Sequence, residues 1–233
     1  MDKQTILIIV GLIIILILIN LLHSNVFEIQ EIQIEGNQLM TDNYILNFSG
    51  LDQGTNIFAI DCQEIQEKLL LLPQFEEVSV FRKLPNKIIV EVIERKPIAI
   101  IPLQSSSYCL INKEGWMLKV INNLSQQQWP IVEGIEVERE RKKIQLNEDL
   151  KVAIKLLRKL TLEIRQEIKK VKVLKSGFRL ELAKGGIVKL GQDFVPKKKA
   201  RVFTSIYQDI KEKNLEVEYV DLRYNKHSFI KTK

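Results

Sequence analysis

Side chains able to do acid–base or nucleophilic chemistry are few in this 233-residue chain. The chain has two histidines, His23 beside an apolar run and His227 near the C-terminus, and two cysteines, Cys62 and Cys109. A Cys62–His227 pair would be the candidate nucleophile and base. Cys62 falls in the first turn of a predicted helix, however, where packing is the simpler role. We therefore expect no catalytic site and no enzyme activity.

Metal, cofactor and nucleotide sites are also not indicated. The acidic clusters lie in charged segments and are explained as exposed strand or loop residues: Glu76, Glu77, Glu136, Glu138 and Glu140. Gly185 and Gly186 form a turn, since neither GxxxxGK[ST] nor GxGxxG occurs. The cysteine spacing excludes a zinc cluster and a disulfide framework, and leaves a single Cys62–Cys109 bridge open. We expect no cofactor, no metal and no small-molecule substrate.

The formal net charge of +6 belongs entirely to the part of the chain after the N-terminal apolar run. Its densest cluster is Lys197, Lys198, Lys199 and Arg201, at the start of a predicted helix. Cations are disfavoured near a helix N-terminus, so the cluster is either a solvated helix face or a site for an acidic partner or anionic lipid. We expect no nucleic-acid binding, because aromatic residues do not alternate with this basic run.

Residues 6–22 read ILIIVGLIIILILINLL and carry no charge. Seventeen helical residues span roughly 26 Å, near the thickness of a bilayer core. A cleavable signal peptide is the rival interpretation, but residues 22–25 offer no small-x-small cleavage pattern. We expect a cytoplasmic tail at 1–5, a transmembrane helix at 6–23, and a single-pass type II topology in the cell membrane.

The next segment, residues 24–96, has the pattern of a small α+β domain. Ile29, Ile32 and Ile34 indicate a strand whose alternation slips once, which predicts a bulge. Thr41 and Asp61 are predicted N-caps of two helices, and two strands joined by a Leu-Pro-Asn turn follow. The predicted order is βααββ, a sheet with two helices on one face.

The segments FEIQEIQIEGN, GTNIFAID, LPQFEEVSVFRKLPN and VEVIERKPIA resemble the POTRA domain of the FtsQ/DivIB family of bacterial cell-division proteins. The matching positions are Gly36, Asn37, Gly54, Asn56, Phe58, Asp61, Pro73, Arg82, Pro85, Asn86, Glu94, Arg95 and Pro97. The resemblance implies a protein-interaction module. Physically, most of these residues suit structural roles: glycines for positive φ, a Pro-Asn turn, and Arg82 and Arg95 as exposed strand charges.

Residues 97–225 predict a mixed β-rich domain with two helices, followed by a C-terminal tail at 226–233. A hairpin with a polar loop at 104–107 is expected first, then a helix capped by Asn147, three strands, and the helix that the lysine cluster opens. Trp116 and Trp129 are interpreted as core anchors, with a stacking platform for a ligand as the alternative. The whole chain is thus α+β with one transmembrane helix.

The string VDLRY resembles the final strand motif of FtsQ proteins, where that family binds its FtsB/DivIC partner. The resemblance implies a partner-binding role for Val220, Asp221, Leu222, Arg223 and Tyr224, and Lys197, Lys198 and Arg201 are added as a basic surface. The expected mechanism is pairing of a partner strand with an unpaired sheet edge, with Tyr224 as the anchor. The alternative is an interior strand with Tyr224 in the core.

Together these features predict a septal cell-division scaffold that links early and late division proteins. It would bind bitopic proteins of the FtsB/DivIC and FtsL type and thereby regulate septal peptidoglycan synthesis. The alternative is a POTRA-containing envelope protein for protein export or assembly. Outer-membrane factors of that kind usually continue into a long β-barrel, for which the chain has no room.

Overall fold

The computed structural model of the protein describes residues 2–103, 107–125, 128–224 and 228–232. The chain forms two compact units, Met1–Arg95 (the first unit) and Lys96–Lys233 (the second unit). The described residues form six α-helices: α1 (Lys3–Leu22), α2 (Asp42–Ser49), α3 (Cys62–Leu70), α4 (Glu148–Arg158), α5 (Leu162–Gln166) and α6 (Pro196–Glu212).

Three strands belong to the first unit: β1 (Glu31–Glu35), β2 (Phe75–Lys83) and β3 (Lys87–Glu94). The others belong to the second unit: β4 (Pro97–Pro102), β5 (Tyr108–Asn112), β6 (Met117–Ile121), β7 (Ile131–Glu133), β8 (Arg139–Glu140), β9 (Lys143–Ile144), β10 (Ile168–Leu174), β11 (Gly177–Leu182), β12 (Ile187–Gly191), β13 (Val217–Asp221) and β14 (Phe229–Thr232).

Within the described residues, α1 is the one helix long and apolar enough to cross a membrane, with a mean hydropathy of 3.2 over its most apolar window. It is 20 residues long and has no buried residue. It begins three residues earlier than predicted, at Lys3, because the polar residues before Ile6 continue the helix. At about 1.5 Å per residue it spans about 30 Å, the thickness of a bilayer core.

The rest of the first unit has the predicted βααββ order, and its sheet has the strand order β1-β3-β2. Both predicted N-caps are confirmed, since Thr41 accepts a hydrogen bond from the Tyr44 amide and Asp61 accepts from the Gln63 and Glu64 amides. The apolar stripe of each helix faces the sheet, so that Ile45 of α2 and Leu69 of α3 are fully buried. Both helices pack into the same apolar core, which stabilises helices too short to be stable alone.

The bulge predicted near Gln30 and Glu31 has a counterpart in the structure, since the amides of both residues donate to the one Asn86 carbonyl, at 2.9 and 3.3 Å. β1 begins only at Glu31, and Ile29 lies before it, fully buried and bonded to a different segment. The Ile29 amide donates to the Thr55 carbonyl at 2.9 Å, and the Gly54 amide donates to the Ile29 carbonyl at 2.8 Å. The slip in alternation therefore marks a change of hydrogen-bonding partner along the chain.

The second unit is built on a nine-stranded sheet with the order β14-β13-β12-β11-β10-β7-β4-β5-β6. Most neighbours are antiparallel, whereas β7 is parallel to both β4 and β10, and β12 is parallel to β13. Helix α6 connects β12 to β13, as a parallel pair requires a crossover. Strands β8 and β9 form a separate two-stranded ribbon.

The main core of the second unit lies between the sheet and its helices. Leu150 and Leu157 of α4, Phe203 of α6, and Leu180 and Val220 of the sheet all belong to it. The Asn147 cap of α4 is confirmed, because its side chain accepts from the Leu150 amide at 2.9 Å. The prediction of two helices in this unit missed α5, a five-residue helix capped by Thr161 and too short to show a periodicity.

A second, smaller apolar cluster in this unit is formed by Ile100, Leu110 and Ile131, and Trp129 packs against it. The role of Trp129 as a packing residue is therefore confirmed. The other tryptophan, Trp116, lies with its ring centroid 5.2 Å from the Lys143 ammonium. The predicted hairpin of β4 and β5 is present, but most of its polar loop, residues 104–106, lies outside the described residues.

Candidate partner-binding surface

The predicted binding residues on β13 and just after it differ sharply in exposure. Val220 and Leu222 are buried in the core, and Asp221 is buried too. Arg223 is exposed, and Tyr224 keeps 58% of its surface exposed. Of the five residues, Tyr224 is thus the one with a large side chain free for an incoming partner, and the alternative that places Tyr224 in the core is wrong.

Asp221 and Arg223 form an ion pair within the chain. The Arg223 guanidinium donates to both Asp221 carboxylate oxygens, through Nε at 3.0 and 3.1 Å and through Nη2 at 2.7 Å. These bonds from Arg223 hold the pKa of Asp221 below its usual range, and the bond to Asp221 raises the pKa of Arg223. The guanidinium carbon lies 5.8 Å from the Tyr224 ring centroid. Asp221 therefore positions Arg223 beside the tyrosine.

The prediction that β13 offers an unpaired edge is wrong. β13 lies between β12 and β14, and β14 pairs with it in antiparallel register from Asp221↔Phe229 to Val217↔Thr232. The segment predicted as a tail at 226–233 therefore contains a strand. A four-residue strand is too short for its alternation to be recognised in the sequence.

The free sheet edge in this region belongs to β14. Within the described residues no strand pairs with its outer side. All four of its residues are exposed, including the large apolar side chains of Phe229 and Ile230. The Phe229 ring stands edge-on to Tyr224, with 6.4 Å between the ring centroids. Sequence reasoning missed these two residues, and their apolar character after Tyr224 was the signal available.

The basic start of α6 is split by burial. Lys197, Lys198 and Arg201 are exposed, as a binding surface requires. Lys199, expected among the solvated cations, is only 6% exposed, and its Nζ donates to the Leu222 backbone carbonyl. Burial lowers the pKa of Lys199. Lys199 thus fastens the first turn of α6 to the end of β13, a contact that the residue type alone does not predict.

A groove of about 870 Å³ lies between the start of α6 and the chain after β13. It is lined by Lys198 and Arg201 from the helix and by Leu222 and Tyr224 from the strand side, with Ser228 just before β14. The structure therefore brings the basic cluster and Tyr224, which are distant in the sequence, to one site. Cations on one wall and an aromatic ring on the other suit a segment that carries both acidic and apolar side chains.

The POTRA-motif residues lie in structural positions of the first unit. Gly36 has φ of +88°, and a Cβ there would meet the Val92 carbonyl oxygen at 2.0 Å. The Asn37 side chain donates to the Met40 carbonyl at 2.9 Å. Arg82 is an exposed charge on β2, as expected, and it also donates from Nε to the Ile57 carbonyl at 2.8 Å.

The remaining motif positions lie at turns and at the ends of elements. Gly54 also has positive φ, Pro73 follows α3, Pro85 and Asn86 form the turn between β2 and β3, and Pro97 begins β4. The expectation that Arg95 is an exposed strand charge is wrong, because Arg95 follows the end of β3 and is half-buried. Asn56 and Phe58 lie in the loop before Asp61, the N-cap of α3.

The candidates for chemistry that lie within the described residues are not assembled into a site. His227 lies outside the described residues, so the Cys62–His227 pair has no described geometry. Both cysteines are free thiols, and burial raises the pKa of Cys109 to about 11. The acidic clusters are exposed, and no group of three or more potential metal ligands occurs among the described residues.

Two sequence models of protein domains match the chain. The FtsQ-type POTRA domain matches residues 27–95, and the C-terminal domain of the cell division protein FtsQ/DivIB matches residues 99–223. The second match alone covers more than half of the chain. It also distinguishes this protein from POTRA-containing proteins that lack such a domain.

Individual relatives agree with the domain matches. The chain is 30% identical to the cell division protein DivIB of Clostridium acetobutylicum over 109 residues, which are 47% of this chain and 43% of the relative. It is 28% identical to FtsQ of Syntrophotalea carbinolica over 116 residues, 50% of this chain and 40% of the relative. Both alignments span less than half of the relative's own length.

A third relative, FtsQ of Geotalea daltonii, aligns over 212 residues at 25% identity, 88% of this chain and 76% of the relative. The order of features in the structure agrees with these comparisons: an apolar N-terminal helix, a βααββ domain and a β-rich domain ending near a VDLRY strand. The chain belongs to the FtsQ/DivIB family of cell division proteins.

Proposed function

We propose that this protein is a septal scaffold that binds bitopic division proteins of the FtsB/DivIC and FtsL type and so regulates septal peptidoglycan synthesis. It acts by binding and not by catalysis. Residues 1–5 face the cytoplasm, α1 spans the cell membrane, and both folded units lie outside the cytoplasm, enriched at the division septum. The observation that supports the proposal is a groove with basic and aromatic walls that ends at Ser228, directly before the edge strand β14.

The partner adds a strand to the outer edge of β14. Its backbone pairs with the N–H and C=O groups along Phe229–Thr232, while alternate side chains face the two sides of the sheet. Four residues of pairing give little specificity by themselves, because backbone groups are the same in every sequence. Specificity then comes from the side chains next to the edge.

Two features of the groove select the partner. Lys198 and Arg201 attract an acidic side chain, and the exposed Tyr224 ring, against which the Phe229 ring stands, receives an apolar one. Arg223 contributes less as a partner for acids, because Asp221 already occupies its guanidinium. The expected ligand is an extended segment with an acidic and an apolar residue close together.

Binding of this kind regulates synthesis through local concentration. A protein held in the same membrane and docked on β14 is confined to a small volume, which raises its effective concentration for other proteins bound to the same scaffold. No chemical step on the scaffold is needed.

The test is co-purification of the full-length protein with an FtsB/DivIC-type partner from the same cell. Tyr224→Glu should weaken binding by about 30-fold, the equivalent of a 2 kcal/mol hot spot. Tyr44→Glu is the matched control, because Tyr44 is a 41% exposed tyrosine on α2 of the first unit and does not line the groove. Equal binding of both variants and the unmodified protein would refute the interface.

Localisation is tested separately by imaging a fluorescent fusion during depletion of the untagged protein. The expected result is a band at midcell and filamentation on depletion. An even distribution in the envelope with normal division would contradict the septal role. Protease treatment of intact cells should remove both folded units, and protection of them would contradict the proposed topology.

A further inference from the structure

The junction between α1 and the folded part of the first unit is held by a side chain from a distant loop. The Asn56 Nδ2 group donates to the backbone carbonyl of Leu22, the last residue of α1, at 2.7 Å. The last four carbonyls of a helix lack intrahelical partners, so Asn56 satisfies one of them. The two residues are 34 positions apart in the sequence, and the bond therefore fixes a domain loop to the end of the membrane helix.

The loop that carries Asn56 is itself fixed on several sides. The Asn56 Oδ1 atom accepts from the Phe58 amide at 2.9 Å, and the Ile57 amide donates to the Phe27 carbonyl at 2.8 Å. Arg82 of β2 donates to the Ile57 carbonyl from the sheet side. The position of Phe58 relative to Leu22 is thus set by a chain of directional bonds.

Apolar side chains are nevertheless exposed at this junction. Phe58 is 44% exposed and Val26 is 55% exposed. The Phe58 ring lies 5.0 Å from the Phe27 ring, centroid to centroid. We refer to Val26, Phe27 and Phe58 as the juxtamembrane patch. Exposed aromatic rings rimmed by polar residues commonly mark an interaction surface.

The geometry places this patch at the depth of the lipid headgroups. α1 spans about 30 Å, the thickness of the hydrocarbon core, so Leu22 lies at its boundary. The headgroup layer beyond is roughly 5–8 Å thick on each side. Phe58 follows Asn56 by two residues, so their Cα atoms are at most about 7 Å apart. Aromatic rings are favoured at this depth.

We propose that the juxtamembrane patch inserts into the lipid interface and that the hydrogen bond from Asn56 to the Leu22 carbonyl holds it at that depth. The occupant is the membrane surface around α1, which is continuous with the patch. This inference rests only on α1 crossing the membrane and is independent of partner binding at β14. It gives Asn56 and Phe58 of the POTRA motif a positioning role and a lipid-contacting role, respectively.

The charges nearby indicate which lipids the patch uses. Arg82 is exposed and bonds to the loop that carries Phe58, Lys87 is paired with Glu31 at 2.7 Å, and Glu28 adds a second negative charge. These two cations and two carboxylates balance, so the described residues around the patch offer no excess of cations to attract anionic headgroups. The contact is apolar and aromatic, so zwitterionic lipid suffices for it.

The experiment uses the full-length protein in phosphatidylcholine nanodiscs whose acyl chains carry bromine, a quencher of tryptophan fluorescence. Trp116 and Trp129 are replaced by phenylalanine, and Phe58→Trp supplies the reporter. Leu71→Trp is the control, because Leu71 is 65% exposed and lies just before β2. Phe75, the first residue of β2, is roughly 23 Å along the strand from Arg82, which bonds to the Phe58 loop. Thermal unfolding of both variants verifies that the background is folded.

The Phe58→Trp protein should lose emission in brominated nanodiscs, while the Leu71→Trp protein should keep it. The result cannot come from chain connectivity alone, since residue 58 is 36 positions beyond the end of α1. Equal quenching of the two reporters would overturn the proposal. Quenching at residue 58 that requires anionic lipid would also overturn it, because the contact would then be electrostatic.

The role of Asn56 is tested by adding Asn56→Asp to the Phe58→Trp protein. Aspartate keeps the acceptor for the Phe58 amide, loses the donor to the Leu22 carbonyl, and puts a negative charge at the negative end of α1. Quenching should fall toward the level of the Leu71→Trp control. The matched change Asn25→Asp adds the same charge close to the helix end at an exposed residue, and should leave quenching unchanged. An equal loss of quenching in the Asn56→Asp and Asn25→Asp variants would refute the role of the bond from Asn56 to Leu22.

Discussion

Replacing Glu94 by glutamine should lower the free energy of unfolding of the first unit by about 2 kcal/mol. The Glu94 carboxylate accepts three backbone amides from the loop before α2. Its Oε2 atom receives the Gln38 and Leu39 amides at 3.0 and 2.7 Å, and its Oε1 atom receives the Met40 amide at 2.9 Å. Glutamine has one oxygen, so at least one amide would face an NH₂ group.

The magnitude follows from this geometry. Hydrogen bonds to a charged group each contribute about 1.5–3 kcal/mol, and water can replace part of the loss in a half-exposed loop. For a domain of this size, 2 kcal/mol corresponds to a fall in Tm of about 8–16 °C. Hydrogen exchange of the Gln38, Leu39 and Met40 amides in the full-length protein should accelerate as well, because these are the groups released.

The matched control is Glu91→Gln on the same strand. Glu91 is exposed and lies opposite Glu35 in the sheet, so its charge is not attracted to that neighbour. We expect a change within about 0.5 kcal/mol. Thermal unfolding by circular dichroism measures both variants. A Tm shift for Glu94→Gln no larger than for Glu91→Gln would refute the assigned role of the carboxylate.

Further predictions concern the glycines of the first unit and the acid sensitivity of the second. Gly36→Ala should destabilise by about 3 kcal/mol or more, combining left-handed strain with a clash at the Val92 carbonyl. Gly54→Ala, with positive φ and open space, should cost only about 1–2 kcal/mol. Urea titration of both variants measures these costs, and equal values would contradict the clash. The pKa of Asp221 is lowered by its bond to Arg223, so its stabilisation is complete above the unfolded pKa of about 3.9 and is lost as pH falls through the lower folded value. Asp221→Asn should therefore make unfolding of the second unit less sensitive to pH below about 4, and an unchanged pH profile would count against the pair.

Local signals explain what could be predicted from the sequence. The caps Thr41, Asp61 and Asn147 act within three residues of themselves, so residue type and position suffice to place the helix starts. Burial alternates over residues 78–81 of β2 and 90–93 of β3, where one face of the sheet is buried. The family resemblance then indicated the order of the domains.

Contacts between distant segments explain what could not be predicted. Lys199 resembles its neighbours Lys197 and Lys198 in the sequence, and its burial depends on the Leu222 carbonyl 23 residues away. β14 owes its existence to pairing with β13, and its four residues have no periodic pattern of their own. The free edge was consequently assigned one strand too early, although Tyr224 was correctly singled out as exposed.

The bond from Lys199 to Leu222 has a consequence for the kinetics of association. It ties the helical wall of the groove to the strand that forms the opposite wall, so the two walls are already in place before a partner arrives. The entropic cost of ordering then falls mainly on the incoming segment. For the proposed interaction, affinity should respond more to the stiffness of the partner segment than to the flexibility of the groove, and differences between partners should lie chiefly in how slowly they dissociate.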